Sequence, residues 1–124
     1  MNTGKILIVE DDTDLRKVYE LILTRAGYRV SLASNGKEAL DVLIAFSPDL
    51  ILLDIFMPVM DGKAFLQNVD FTTYPAMKVV VCSNTSDDDL ISDMMSLGAL
   101  KVVTKSDLDP SGLTTLVAPY MASA

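Results

Sequence analysis

The residues of this sequence that could carry out chemistry come directly after short apolar runs. They are Glu10, Asp11 and Asp12, then Asp54, Ser83 and Lys105. Short uninterrupted apolar runs are typical of strands that are buried on both faces. In open α/β sheets, ligands bind at the carboxyl ends of the strands. If the first, third and fourth strands are neighbours, these side chains converge at that edge of the sheet.

Several carboxylates can share a small site only if their charges are compensated. Two like charges about 4 Å apart repel by about 4 kcal/mol at an effective dielectric constant of about 20. A divalent cation would relieve this repulsion, and the sequence has no His that would favour a transition metal. Oxygen ligands alone suit Mg²⁺, with Mn²⁺ as a second choice. Lys105 adds a point charge that can hold a phosphoryl oxygen.

Together these groups indicate phosphoryl transfer to a carboxylate. Asp54 would be the nucleophile, the metal and Lys105 would neutralise the phosphoryl oxygens, and Ser83 would donate a hydrogen bond to one of them. The alternative is that each acid caps a helix or faces solvent, because Asp and Glu are mostly exposed. The agreement of all these groups on one chemistry favours phosphoryl transfer.

The elements that would position these residues form five repeats of strand and helix. The predicted strands cover residues 5–9, 28–33, 49–54, 78–82 and 100–104. Apolar residues at helical spacing follow each strand. Gly27 and Gly98 are placed to end two of the helices, Asp61 to cap the third, and Pro110 to open the last. Such an order predicts a parallel sheet with helices on both faces.

Composition limits the class of protein. The chain has 124 residues, half of them hydrophobic, and a net charge of −7. That length suits a single domain over residues 1–124 with no output domain. The negative charge disfavours binding to nucleic acid or to anionic membranes, and no apolar run is long enough to span a membrane. The lone Cys82 fits a reducing compartment, so we expect a cytoplasmic protein.

Four segments carry a family resemblance: ILIVEDD, LILLDIFMPVMDG, VVVCSN and VVTKS. In this order and spacing they resemble the receiver domain of two-component response regulators. The resemblance implies a flavodoxin-like, doubly wound (βα)5 fold with strand order 2-1-3-4-5. It implies a signalling switch that takes a phosphoryl group from a sensor histidine kinase or a His-containing phosphotransfer protein. The switch then presents a changed surface, formed by the fourth helix, fifth strand and fifth helix, to a downstream protein.

The resemblance also implies a role for each site residue. Asp54 is the expected phosphoacceptor, and Ser83 and Lys105 are the expected phosphoryl-binding side chains. Asp11 would bind Mg²⁺ directly and Glu10 through water. Asp54 and the backbone carbonyl of Phe56 would complete the metal site. The domain would assist only its own phosphorylation and dephosphorylation, and would not be an enzyme that acts on an external substrate.

Two positions depart from the family pattern. The family usually has an aromatic residue three positions before the lysine, where this chain has Val102, whose side chain is stiff and has no ring to reorient. It also usually has a proline after the lysine, often with a cis peptide bond, where this chain has Ser106. These departures affect the expected output mechanism more than the expected phosphorylation site.

Two other functions are compatible with the sequence. One is a receiver-like adaptor that binds a partner constitutively. The departures at Val102 and Ser106 leave this alternative open, whereas the intact set of site residues argues against it: Glu10, Asp11, Asp54, Ser83 and Lys105. The other is a small Mg²⁺-dependent phosphohydrolase that uses Asp54 as its nucleophile. Such an enzyme would need a general acid two residues later, where this chain has Phe56.

Overall fold

The structure is a computed structural model that describes residues 4–121. Five strands pair in parallel to form one sheet: β1 Lys5–Val9, β2 Arg29–Ala33, β3 Leu50–Leu53, β4 Lys78–Cys82 and β5 Lys101–Val103. Their order across the sheet is β2-β1-β3-β4-β5. The doubly wound, flavodoxin-like fold with order 2-1-3-4-5 is therefore confirmed.

A helix follows each strand: α1 Thr13–Arg25, α2 Gly36–Phe46, α3 Gly62–Asn68, α4 Asp88–Ser96 and α5 Pro110–Val117. Short 3-10 turns cover Lys105–Asp107 and Ala118–Tyr120. Within residues 4–121, no helix combines the length and the apolar character that crossing a membrane requires.

The sheet is buried on both faces because helices pack on each side of it. Helices α2, α3 and α4 cover one face with side chains that include Leu43, Phe65 and Met94. Helices α1 and α5 cover the other face with Leu23 and Leu113 among others. Successive residues of a strand point to opposite faces, so each central strand supplies side chains to both cores. This explains why these strands are uninterrupted apolar runs.

The helix ends follow the local signals in the sequence. Each helix has an N-cap side chain that accepts a hydrogen bond from a backbone N–H of its first turn: Asp12, Asn35, Asp61, Asp87 and Asp109. Gly27 and Gly98, just after α1 and α4, have φ angles of 104° and 123°. These left-handed conformations favour glycine. The predicted boundaries at Gly27, Asp61, Gly98 and Pro110 are confirmed.

Three strands are shorter than predicted. β2 begins at Arg29, β3 ends at Leu53 and β5 contains only three residues. Asp54 thus lies one residue beyond β3, and Lys105 lies in the 3-10 turn beyond β5. At β2 and β3 the prediction was too long because Tyr28 and Asp54, just outside the paired residues, are as buried as the strands themselves. At β5 the predicted end residues Leu100 and Thr104 are exposed and lie outside the paired residues. Cys82, at the end of β4, is a buried free thiol.

Candidate functional site

Glu10 and Asp11 follow β1 at the central part of the sheet edge. The backbone N–H of Glu10 donates to the carbonyl of Ala33 at 3.0 Å, which continues the pairing with β2. The Glu10 side chain is buried, whereas Asp11 is exposed. The guanidinium of Arg16, one turn into α1, donates to the Glu10 carbonyl oxygen at 2.7 Å. The main chain at Glu10 is therefore held by a hydrogen bond at its N–H and by another at its carbonyl oxygen.

Asp54 stands next to this pair because β3 is the neighbour of β1. Its backbone N–H donates to the carbonyl of Val9 at 3.0 Å, and its Oδ1 accepts from the N–H of Ile55 at 2.8 Å. The side chain is largely buried. Gly62 closes the loop by donating to the Ile55 carbonyl at 2.7 Å. A Cβ at Gly62 would overlap the Asp54 carbonyl oxygen, so this close approach requires glycine.

Lys105 lies between the two buried carboxylates. Its Nζ is 2.7 Å from Oε1 of Glu10 and 3.1 Å from Oδ2 of Asp54. The lysine side chain is 19% exposed, so solvent can reach the ammonium while the two acids remain largely covered. One ammonium does not balance two carboxylates and the neighbouring Asp11. The site therefore carries an excess of negative charge.

Burial has a strong effect on Glu10. Desolvation, together with a hydrogen bond and repulsion from Asp54, raises the pKa of Glu10 from 4.5 to about 7, against the lowering effect of Lys105. Burial by itself lowers the pKa of Lys105. The hydrogen bond to Glu10 and the charge of Asp54 outweigh burial and raise that pKa above its ordinary value. Lys105 is thus a permanent cation at this edge of the sheet.

Three acids are close enough to share a cation. Oxygens of Glu10, Asp11 and Asp54 all lie within 4.8 Å of one another. The second oxygen of Glu10, Oε2, is buried and has no hydrogen-bond partner in the protein. An all-oxygen ligand set with excess negative charge suits a hard divalent cation such as Mg²⁺. The residues present therefore fit the predicted metal.

The cleft above these acids has a volume of about 480 Å³. Its walls are formed by Glu10, Asp11, Asp12, Leu15, Asp54, Phe56, Ser83, Asn84 and Lys105. All six residues that the sequence singled out, and Phe56, are thus at one site. Ser83 is buried, and its Oγ accepts from the N–H of Thr85 at 3.4 Å. Asp12 differs from the others because its carboxylate caps α1.

Two residues at the site were missed by the sequence analysis. Arg16 contacts the main chain of Glu10, a contact between α1 and the end of β1 that no spacing in the sequence predicts. Asn84 lines the cleft, and its Oδ1 accepts from the backbone N–H of Ser106 at 3.0 Å. The Lys105–Ser106 peptide bond is trans. Val102 is partly buried against the core on the α2–α4 side of the sheet.

Comparison with known proteins gives consistent matches. The family model of the response regulator receiver domain matches residues 6–118. The chain is 36% identical over 110 residues to the DNA-binding transcriptional regulator NtrC of Klebsiella pneumoniae, covering 88% of this chain and 23% of NtrC. It is 34% identical over 110 residues to sporulation initiation phosphotransferase F of Bacillus subtilis, covering 88% of both proteins. The chain spans 23% to 26% of the length of the first curated relatives that it matches.

Solved structures show the same architecture. Chemotaxis protein CheY4 of Vibrio cholerae superposes with a TM-score of 0.87 at 26% identity, covering 95% of this chain and 98% of CheY4. A CheY-like response regulator receiver domain protein from Methanospirillum hungatei gives a TM-score of 0.86 at 26% identity, covering 94% and 92% of the two chains.

Proposed function

Because the chain belongs to the response regulator receiver domain family, we propose that it is a signalling switch whose phosphoacceptor is Asp54. The observation that carries this proposal is the position of Lys105, whose ammonium lies between Asp54 and Glu10 at the floor of an acidic cleft. The nucleophilic carboxylate of Asp54 thus lies beside a cation, the Lys105 ammonium, that can hold the incoming phosphoryl group. The donor would be a sensor histidine kinase or a His-containing phosphotransfer protein.

The reaction would transfer the phosphoryl group between two side chains. The phosphorus–nitrogen bond of the partner's phosphohistidine breaks while a carboxylate oxygen of Asp54 forms a phosphorus–oxygen bond. The products are an aspartyl phosphate and a neutral histidine, once its ring nitrogen has taken a proton from solvent. After the transfer, the Lys105 ammonium would exchange its contact with the Asp54 carboxylate for one with a phosphoryl oxygen. Ser83, at the cleft wall, would donate its hydroxyl hydrogen to another phosphoryl oxygen.

Asp11, Asp54 and the backbone carbonyl of Phe56 would hold Mg²⁺, and Glu10 would act on it through water. When bound, Mg²⁺ supplies positive charge that stabilises the phosphoryl oxygens during transfer. The orphaned Oε2 of Glu10 and the group of three acids support this assignment. Mn²⁺ would suit the same oxygen ligands.

The output would be a change in the surface formed by α4, β5 and α5. Phosphorylation would bias an existing equilibrium between two conformations of this face. Since Val102 has no ring to reorient, Ser83 and the loop that leads into α4 would carry the change. A downstream protein would read the altered face. We propose that the domain catalyses only its own phosphorylation and dephosphorylation, and that this chain itself contacts neither nucleic acid nor membrane.

The match to sporulation initiation phosphotransferase F extends over 88% of both proteins, which supports a place in a phosphorelay. A cytoplasmic location belongs to the same proposal, because the buried free thiol of Cys82 suits a reducing compartment.

The direct test is Mg²⁺-dependent phosphorylation by a small acyl phosphate or amidophosphate, followed by intact mass. We expect one added phosphoryl group in the wild type with Mg²⁺, and none without Mg²⁺ or in Asp54→Asn. Asp61→Asn is a matched control, because Asp61 caps α3 outside the cleft and Asn caps equally well. It should label like the wild type.

A lack of labelling, together with a lack of Mg²⁺-dependent beryllofluoride binding, would reject the phosphoacceptor proposal in favour of a constitutive adaptor. The beryllofluoride arm is needed because a rapidly hydrolysed aspartyl phosphate could escape detection by mass. Turnover of free phosphate monoesters by the wild type would instead favour a phosphohydrolase.

A further inference from the structure

The 3-10 turn that carries Lys105 begins with a backbone N–H that has no hydrogen-bond acceptor within the turn. The first N–H groups of any helical turn lack partners within the turn. At the 3-10 turn Lys105–Asp107 the N-cap is Thr104, whose side chain makes no capping hydrogen bond. The N–H of Ser106 is one of these groups, and a proline at this position would have no N–H to donate.

Asn84 supplies the missing acceptor from a different loop. Its Oδ1 lies 3.0 Å from the N–H of Ser106, across 22 residues of sequence. Asn84 directly follows Ser83, one of the two proposed phosphoryl-binding residues, and Ser106 directly follows Lys105, the other. One side chain therefore joins the loops that carry both groups.

This bond lies where the regular strand pairing ends. The last paired residues of β4 and β5 are Cys82 and Val103. Beyond them, the N–H of Ser83 donates to the Val103 carbonyl at 2.9 Å, but the N–H of Lys105 reaches the Ser83 carbonyl only at 3.4 Å. The shorter bond between Asn84 and Ser106 thus holds the main chain at a point where the backbone bonds weaken.

We propose that Asn84 is a positioning residue for Lys105: its side-chain oxygen caps the turn after Lys105 and keeps the ammonium between Glu10 and Asp54. This inference rests on the proposed function for its consequence, since the ammonium must meet the phosphoryl group at Asp54. The long lysine side chain loses rotational freedom in this position. A fixed main chain at residues 105 and 106 restricts the position of the Lys105 Cα, and so reduces the number of conformations in which the ammonium lies away from the site.

The test compares the wild type with Asn84→Ala in two independent measurements. Nuclear magnetic resonance follows the exchange of the Ser106 amide and the side-chain resonances of Lys105, and needs no phosphorylation. We expect the Ser106 amide to exchange about threefold to tenfold faster, the effect of losing one hydrogen bond. We expect the Lys105 resonances to shift toward those of an exposed lysine. The labelling rate of Asp54 should fall by a similar factor of about three to ten.

Two further variants serve as an alternative to Asn84→Ala and as a control. Asn84→Leu removes the oxygen at nearly constant size, so it provides the result if Asn84→Ala does not fold. Asn68→Ala removes another exposed Asn side chain, which donates to the Ala64 carbonyl within α3 at 2.7 Å. It should leave the labelling rate and the Lys105 resonances unchanged.

Each outcome gives a decision. Unchanged Lys105 resonances in Asn84→Ala would overturn the positioning role, even if labelling slowed. Shifted resonances with a wild-type labelling rate would support the positioning of Lys105 by Asn84 but overturn its consequence for phosphorylation, because the placement of Lys105 would then not limit the reaction. Absence of both labelling and Mg²⁺-dependent beryllofluoride binding in the wild type would reject the proposed function, while the resonances alone would still decide whether Asn84 positions Lys105.

Discussion

At the scale of single residues, the site depends on an incomplete charge balance. Glu10 and Asp54 are almost fully buried, and the one ammonium between them contacts both. Two buried carboxylates whose oxygens lie within 4.8 Å of each other are tolerated only with a counter-ion or with a proton on one of them. Lys105 partly fills that role, and the remaining negative charge is what makes the cleft attractive to a divalent cation. The same excess of charge that would favour a bound cation is therefore expected to lower the stability of the metal-free protein.

The raised pKa of Glu10 predicts a specific pH dependence of stability. A carboxyl whose pKa rises from 4.5 to about 7 on folding favours the folded state at low pH, and this contribution is lost as the pH rises from 4.5 through about 7. In Glu10→Gln the contribution is absent. In urea unfolding without metal, we expect the stability of the wild type relative to Glu10→Gln to fall between pH 5 and pH 8.

The comparison of the two proteins removes the effect of the other acids, which titrate in both. A difference in unfolding free energy that stays constant from pH 5 to pH 8 would contradict the raised pKa. Addition of Mg²⁺ at pH 8 should restore stability to the wild type, because the cation replaces the proton as the partner of the buried carboxylate.

At the scale of elements, the loop after β3 is held in an unusual conformation. The N–H of Met60 donates to the Pro58 carbonyl at 2.8 Å, which forms a γ-turn centred on Val59 with φ of 69°. This form of the turn is strained, most of all for a β-branched residue. The carbonyl of Met60 in turn accepts from the N–H of Gly36 at 2.8 Å. The loop is thus anchored to the start of α2, which explains how the strain persists.

Replacement of Val59 by glycine should therefore stabilise the protein. Val59 is 79% exposed, so little packing is lost. Relief of backbone strain is worth about 1–3 kcal/mol, against about 0.5–1 kcal/mol for the greater freedom of glycine in the unfolded chain. We expect Val59→Gly to raise the free energy of unfolding by about 1 kcal/mol, measured by urea denaturation.

The matched control makes the same change in a regular helix. Val18 lies in α1 and is 48% exposed. Val18→Gly should lower stability, because glycine is a poor helix former and no strain is relieved. Equal effects of the two substitutions would show that the γ-turn at Val59 stores no strain.

At the scale of the whole molecule, the site exists only because the sheet is assembled in the order β2-β1-β3-β4-β5. This order makes β1 and β3 neighbours, so Asp11 and Asp54 meet across 43 residues of sequence. It also places the loop after β5 close enough for Lys105 to reach both strands. The unfolded chain has no such cluster. Any ion that binds the cluster must therefore stabilise the folded state.

We expect Mg²⁺ to raise the melting temperature of the wild type in a concentration-dependent manner. At about 100 times the dissociation constant the stabilisation is about 2.7 kcal/mol. Asp11→Asn should lose most of this effect. Asp12→Asn, whose side chain can still cap α1, should keep it. A similar loss in both variants, seen by differential scanning calorimetry, would contradict Asp11 as the direct metal ligand.

The sequence by itself determined the elements, their caps and the residues that carry chemistry. Buried strands need apolar side chains on both faces, and the local sequence shows this at Leu50–Leu53. Helix ends need polar caps or glycine, and the local sequence shows these at Asp61 and Gly98. The strand order was predicted from the family resemblance, because an apolar run indicates that a strand is buried but not which strands pair with it.

Only the tertiary structure decided which contacts the site residues make. Crossover connections bring Glu10, Asp54 and Lys105 together, and no local pattern encodes the distances among them. The bond from Ser106 to Asn84 depends on two loops that meet only in the folded sheet. The γ-turn at Val59 is imposed by its anchor on α2, since nothing in the local sequence favours a positive φ at a valine.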